Sequence, residues 1–73
     1  MKNGVFTMLK SKIKVKLAEL EMKQQDLAEK LGVTKQTLSS WVNGRSVPTL
    51  ETAFKIASIL DCKVDDLYTY KED

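Results

Sequence analysis

The sequence predicts an all-α fold: a compact bundle of five short helices around one small core. Three observations predict it. Apolar residues recur at three- and four-residue spacing in consecutive segments. Stop residues, Gly32, the Asn43-Gly44 pair and Pro48, separate those segments without any long linker. Two threonines, Thr34 and Thr49, stand where a helix start needs a side-chain acceptor.

Residues 1–8 read as a lead-in or a short strand. Val5-Phe6-Thr7-Met8 is β-type in composition, as is Tyr68-Thr69-Tyr70, so the two ends can pair as a two-stranded ribbon. Helix 1 is expected from Leu9 to Glu21, with Ile13, Leu17 and Leu20 at helical spacing. Its Lys10, Lys12, Lys14 and Lys16 can snorkel toward solvent or phosphate. Helix 2 covers Gln24–Leu31, with Leu27, Ala28 and Leu31 on one side. Gly32 follows, and glycine accepts the left-handed backbone of a tight stop. Val33 can plug the corner and Thr34 can cap the next helix.

Helix 3 is expected over 35–43, with Leu38, Trp41 and Val42 turned to the core. Asn43-Gly44 ends it, and Gly44 to Pro48 forms a loop. Thr49 caps helix 4, Glu51 favours its positive end, and Leu50, Ala53, Phe54, Ala57 and Leu60 form its core stripe. Helix 5 is short, Val64 to Tyr68, with Asp65-Asp66 in its first turn, and residues 69–73 are a tail.

Seventy-three residues allow one domain with a marginal core. A composition of 42% hydrophobic and 30% charged residues is that of an ordinary globular protein. No apolar run approaches membrane-spanning length, and MKNGVFTMLK is too short and broken for a signal peptide, so a cytoplasmic location is expected. With one cysteine, Cys62, at an apolar position, a buried thiol is expected rather than a disulfide. The lack of histidine removes the commonest general base, and no metal-ligand cluster or phosphate-binding glycine loop is present. Neither an enzyme nor a cofactor is expected. Residues 1–47 carry nine Lys/Arg against four Asp/Glu, whereas residues 48–73 carry three against six. The basic end holds the paired helices 2 and 3.

Two helices locked at a steep angle by a short glycine turn form a helix-turn-helix, and the second is the right size for the major groove of DNA. The outward face of helix 3 supports that use. Gln36, Ser40 and Asn43 lie opposite the core residues, flanked by Thr37 and Ser39. Solvated helix faces are usually rich in Glu and Lys, whereas Thr, Ser and Asn are weak helix formers. Gln can pair with an adenine edge, and Ser or Thr with any base.

The stretch from about Ile13 to Tyr68 resembles the phage-repressor or Cro-like (Xre-type) helix-turn-helix family of transcription regulators. The resemblance rests on Gln24, Leu27-Ala28, Leu31-Gly32-Val33, Thr34-x-Gln36-Thr37-Leu38, Trp41, Asn43-Gly44-Arg45, Pro48-Thr49-Leu50, Lys55-Ile56-Ala57, Leu60 and Asp65-Asp66-Leu67-Tyr68. It implies a lambda-repressor-like DNA-binding domain over residues 9–68. It also implies base contacts by Lys35, Gln36, Thr37 and Ser40, and phosphate contacts by Gln24, Thr34, Asn43, Arg45 and Ser46. Double-stranded DNA is the implied partner, read by a homodimer on inverted half-sites, most often for repression. Val47, Tyr68 and Tyr70 are the dimer-contact candidates, although both tyrosines can equally close the monomer core. The alternative is a protein-binding module on the same fold, such as an antitoxin, with the acidic C-terminal third facing a small protein partner.

Two departures from the family pattern stand out. Many members pair Arg and Glu where this chain has Leu17 and Val42, so apolar packing of those two is expected. The family usually caps helix 2 with Ser or Thr, where this chain has Lys23, a residue that cannot accept the cap hydrogen bonds but adds a charge facing phosphate.

Overall fold

The computed structural model describes residues 9–70. In chain order they form β1 (Leu9–Ser11), α1 (Ile13–Leu20), α2 (Gln24–Leu31), α3 (Lys35–Val42), α4 (Leu50–Ile59), α5 (Val64–Leu67) and β2 (Tyr68–Tyr70). Five helices with one small ribbon is the expected architecture.

The ribbon uses Tyr68-Thr69-Tyr70 as expected, and its described partner strand is Leu9–Ser11, a stretch expected to start helix 1. β1 and β2 pair antiparallel, with Leu9 opposite Tyr70, Lys10 opposite Thr69 and Ser11 opposite Tyr68. The expected strand at Val5–Met8 lies outside the described residues. Helix 1 therefore starts at Ile13, not Leu9. The reason is burial: Ile13 is the first core residue, while Leu9 is exposed and would give an added helical turn nothing to bury. The Lys12 N–H donates to the Leu67 carbonyl at 2.7 Å, fastening the start of α1 to the end of α5.

One core unites all five helices. It consists of Ile13 and Leu17, Leu27 and Ala28, Leu38 and Val42, Ile56, Ala57 and Leu60, and Leu67. Leu17 and Val42 are both buried in this core, with no charged side chain buried beside them among the described residues. Three expected core residues stand elsewhere. Leu20, Leu50 and Phe54 are exposed. On α4 the buried face is Ala53, Ile56, Ala57 and Leu60, so Ile56 holds the place assigned to Phe54. The longer side chains at 50 and 54 occupy a neighbouring face of the same helix. Trp41 is only half-buried and packs on the core from its rim, as do Met22, Val33, Cys62 and Tyr68.

The first four helices end in one way. Glu21, Gly32, Gly44 and Asp61 all have positive φ, at 56°, 74°, 77° and 55°. After each, the chain makes the same pair of hydrogen bonds. The N–H groups of Glu21 and Met22 donate to the carbonyls of Ala18 and Leu17. Those of Gly32 and Val33 donate to Glu29 and Ala28, those of Gly44 and Arg45 to Trp41 and Ser40, and those of Asp61 and Cys62 to Ser58 and Ala57. This is the Schellman stop, which satisfies carbonyls that a helix end leaves open. α5 starts with a complementary device: the Asp66 carboxylate accepts the Lys63 N–H at 3.0 Å, which holds its pKa below the ordinary value.

Two outcomes follow from this packing. Val42→Glu should lose about 3–5 kcal/mol, because it places a carboxylate in a core without a cationic partner. Chemical denaturation at neutral pH reads this directly, and near-parental stability would mean that Val42 can reach water. Glu21→Gly should gain about 0.5–1 kcal/mol, the left-handed penalty relieved less the extra freedom of the unfolded chain. It also removes a carboxylate from the negative end of α1. Asp61→Gly should gain less, since aspartate tolerates this conformation better. A thermal melt ranking the two variants the other way round would contradict the assignment.

Candidate nucleic-acid interface

Helix α3 is held at both ends and along one side. At its start the Thr34 hydroxyl oxygen accepts the Thr37 N–H at 3.1 Å. Along its inner side Leu38 and Val42 are buried, and at its end Gly44 closes the Schellman stop. Helix α2 packs against α3 across the turn at Gly32, and Val33 lies against the core at that corner. Both glycines have open space where a Cβ would stand, so the need for glycine there is backbone conformation rather than room.

The outer side is uncharged apart from its first residue. Lys35, Gln36 and Thr37 are exposed at the N-terminal end of α3, and no acidic residue occurs between Lys35 and Val42. The Thr34 hydroxyl donates to the Thr37 hydroxyl oxygen at 3.0 Å. Thr37 thus accepts inward and keeps its own proton for an outward acceptor. Thr34 is the reverse case: its proton and one lone pair are both engaged in the cap. A phosphate contact by the Thr34 hydroxyl therefore requires giving up the bond to Thr37.

Ser40 is half-buried, and its hydroxyl lies 2.8 Å from that of exposed Ser46. One hydroxyl of the pair donates to the other, so only one proton remains free between them. This bond ties the loop after α3 back onto the helix. It was not legible in the sequence, because the six-residue separation closes only through the left-handed turn at Gly44. Asn43 is exposed and donates from its side-chain amide to the Ser39 hydroxyl at 3.1 Å, which orients the amide along α3.

Arg45 marks a difference among the four helix stops. The residue after the left-handed position is Met22, Val33 or Cys62 at the other three, and each of these packs against the core. At α3 that place is taken by Arg45, which is exposed. Its backbone is fixed by the 2.9 Å bond to the Ser40 carbonyl, while its side chain stands in solvent. The geometry thus sets a guanidinium at the C-terminal end of α3, with Lys35 at the opposite end.

At the start of α2, Lys23 is extended, with φ −86° and ψ 151°, and makes no side-chain cap bond. Its carbonyl accepts from Asp26 and Leu27, so the helix begins correctly, but the first N–H groups have no acceptor from its side chain. Lys23 and Gln24 are both exposed beside those groups. Helix N-termini of this kind attract anions.

A helix-turn-helix family profile matches residues 13–67. The chain is 40% identical over 65 residues to an HTH-type transcriptional regulator of Methanocaldococcus jannaschii, covering 89% of this chain and 98% of that one. It is also 37% identical over 54 residues to the 26 kDa repressor protein of Escherichia phage HK022, covering 74% of this chain but 23% of that protein. A crystal structure of a Bacteroides fragilis protein to which DNA binding is attributed superposes with a TM-score of 0.81 at 34% identity, covering 85% of this chain and all of that one.

The missing cap has a measurable consequence. Lys23→Ser restores an acceptor for the first turn of α2 and removes a positive charge from its positive end. It should stabilise the free protein by about 1 kcal/mol. An unchanged denaturation midpoint would mean that water already serves those N–H groups as well as a serine would.

Proposed function

The chain belongs to the phage-repressor or Cro-like helix-turn-helix family, and on that premise we propose that it is a sequence-specific regulator of transcription, acting as a repressor on double-stranded DNA. Helix α3 enters the major groove, with α2 crossing above it. The observation that carries this reading is the exposed end of α3. Lys35, Gln36 and Thr37 project from a helix fixed by a cap, a buried face and a left-handed stop, so only their side chains remain to be ordered at a base edge.

In this reading Gln36 forms a bidentate pair with one base, and Thr37 donates its free proton to a neighbouring acceptor. Lys35 reaches a base edge or the adjoining backbone. Ser40 contacts a base by accepting, or donates while Ser46 gives up its own proton to the pair. Lys23, Gln24, Asn43 and Arg45 bind phosphate on both sides of the groove, with Thr34 offering its backbone. Such contacts fix register, and the few groups on α3 carry the sequence preference. Eight residues of helix reach only a few base pairs, so two copies on inverted half-sites about one DNA turn apart supply the length of a usable operator.

Gln36→Ala separates base reading from backbone binding. It should weaken binding to the preferred sequence by about 1–3 kcal/mol while leaving binding to random duplex nearly unchanged. Equal losses on both, measured at one salt concentration, would remove Gln36 from the reading set. Lys23→Ser should weaken both equally, with a log-salt slope shallower by about 0.9. An unchanged slope would show that Lys23 makes no phosphate contact.

A further inference from the structure

The outer side of α3 carries one hydrogen bond whose direction the fold leaves open. The Ser40 and Ser46 hydroxyls lie 2.8 Å apart, and either can be the donor. Ser46 also meets the helix through its backbone. Its N–H donates to the Ser40 carbonyl at 3.4 Å, beside the 2.9 Å bond from Arg45. The pair is therefore held in place whichever way its proton runs. At Thr37 the direction is set: Thr34 donates to it at 3.0 Å, and Thr37 has a proton left to give.

The surroundings of Ser46 decide the open case. Ser46 is exposed in the loop that leaves α3, next to the exposed Arg45, whereas Ser40 is half-buried on the helix. A helix lying in the major groove, as proposed above, fills a width of about 12 Å, so the loop beyond it meets the phosphates that wall the groove. A phosphodiester offers acceptors only, so Ser46 binds it by giving up its own proton. The proton of the shared bond must then come from Ser40. Ser40 keeps a lone pair and has nothing left to donate.

We infer that Ser46, from outside the helix that enters the groove, fixes Ser40 as an acceptor and so sets the class of base that Ser40 reads. An acceptor in the major groove pairs with an exocyclic amino group, that of adenine or cytosine. It is repelled by O4 of thymine and by O6 and N7 of guanine. Thr37, three residues earlier and about 60° around the helix, presents the opposite polarity. The two hydroxyls thus read neighbouring positions as one donor and one acceptor, although Ser and Thr are interchangeable readers by residue type. Phosphate contact and base choice become coupled through a single proton, with no movement of the backbone.

Base choice by Ser40 rests on the operator reading, and the two fail differently. Sequences selected from random duplex DNA by the parent and by Ser40→Ala identify the position that residue 40 reads, as the one whose preference the variant loses. Replacing adenine there by purine, or cytosine by 2-pyrimidinone, removes only the amino group. That change should weaken binding of the parent about 2–10-fold more than binding of Ser40→Ala. Replacing the purine of the pair by its 7-deaza form, which removes an acceptor, should affect both alike. Ser46→Ala frees Ser40 to donate or accept. The preference at this one position should flatten several-fold while neighbouring positions keep theirs and the helical circular dichroism is unchanged. Ser46→Thr keeps a hydroxyl and should keep the preference. The assignment is overturned, with α3 still a base reader, by any of four results: Ser40→Ala loses no preference, amino removal weakens parent and Ser40→Ala equally, Ser46→Ala weakens every sequence by one factor, or Ser46→Thr flattens the position as Ser46→Ala does. A parent that enriches no sequence overturns the operator reading and this assignment together.

Discussion

The fold depends on four left-handed stops. Each of α1 to α4 ends with one residue at positive φ, and each end is closed by the same pair of backbone hydrogen bonds. The stop satisfies two carbonyls and turns the chain sharply enough that the next residue drops onto the core. In a chain of this size that matters, because short helices are marginal by themselves and hold only through tertiary packing. Met22, Val33 and Cys62 serve as such plugs. Natural domains are stable by only about 5–15 kcal/mol, so four such closed helix ends matter to the balance.

The same device explains how a fixed, exposed helix face arises from so little chain. At three stops the turn directs an apolar residue inward, and at the end of α3 it directs Arg45 outward instead. Anchorage lost there is recovered on the surface, by the bond between Ser40 and Ser46 and by the Asn43 amide on Ser39. Polar groups thus do at α3 what apolar plugs do elsewhere. Groups that hold α3 in place and groups that could touch DNA are partly the same atoms, which ties stability of the turn to its use. Thr34 illustrates this, since its hydroxyl is engaged by the cap before any phosphate arrives.

Much of this was legible in the sequence, for local reasons. Gly32 and Gly44 announce their stops because glycine is the residue for positive φ, and Thr34 and Thr49 announce the caps they make. Glu21 and Asp61 make the same turn without glycine; nothing in the identity of Glu21 marks it, and aspartate marks it only weakly. Leu9 extends the apolar pattern and so predicts a start of α1 four residues early, whereas pairing with Tyr70 across the whole chain draws it into a strand. Phe54 reads as a core residue because it is a large aromatic at helical spacing. Ile56 and the small Ala53 and Ala57 fill that space instead, and only the packing of α4 against its neighbours decides it. Among the site residues, exposure of Gln36 and Thr37 follows from helical period, whereas Lys35 stands at core spacing from Leu38 and Val42 and only the family resemblance points to it. The hydrogen bonds of Thr34, Ser40 and Ser46 depend on turn geometry that no spacing reveals.

In the proposed function, a fixed α3 reads base edges while its flanks hold phosphate. Selection of bound sequences from random duplex DNA tests it most directly. The claim predicts an enriched pattern of two inverted half-sites about one helical turn apart, each only a few base pairs long. Binding that is salt-dependent but enriches no sequence would leave the fold intact and contradict the claim.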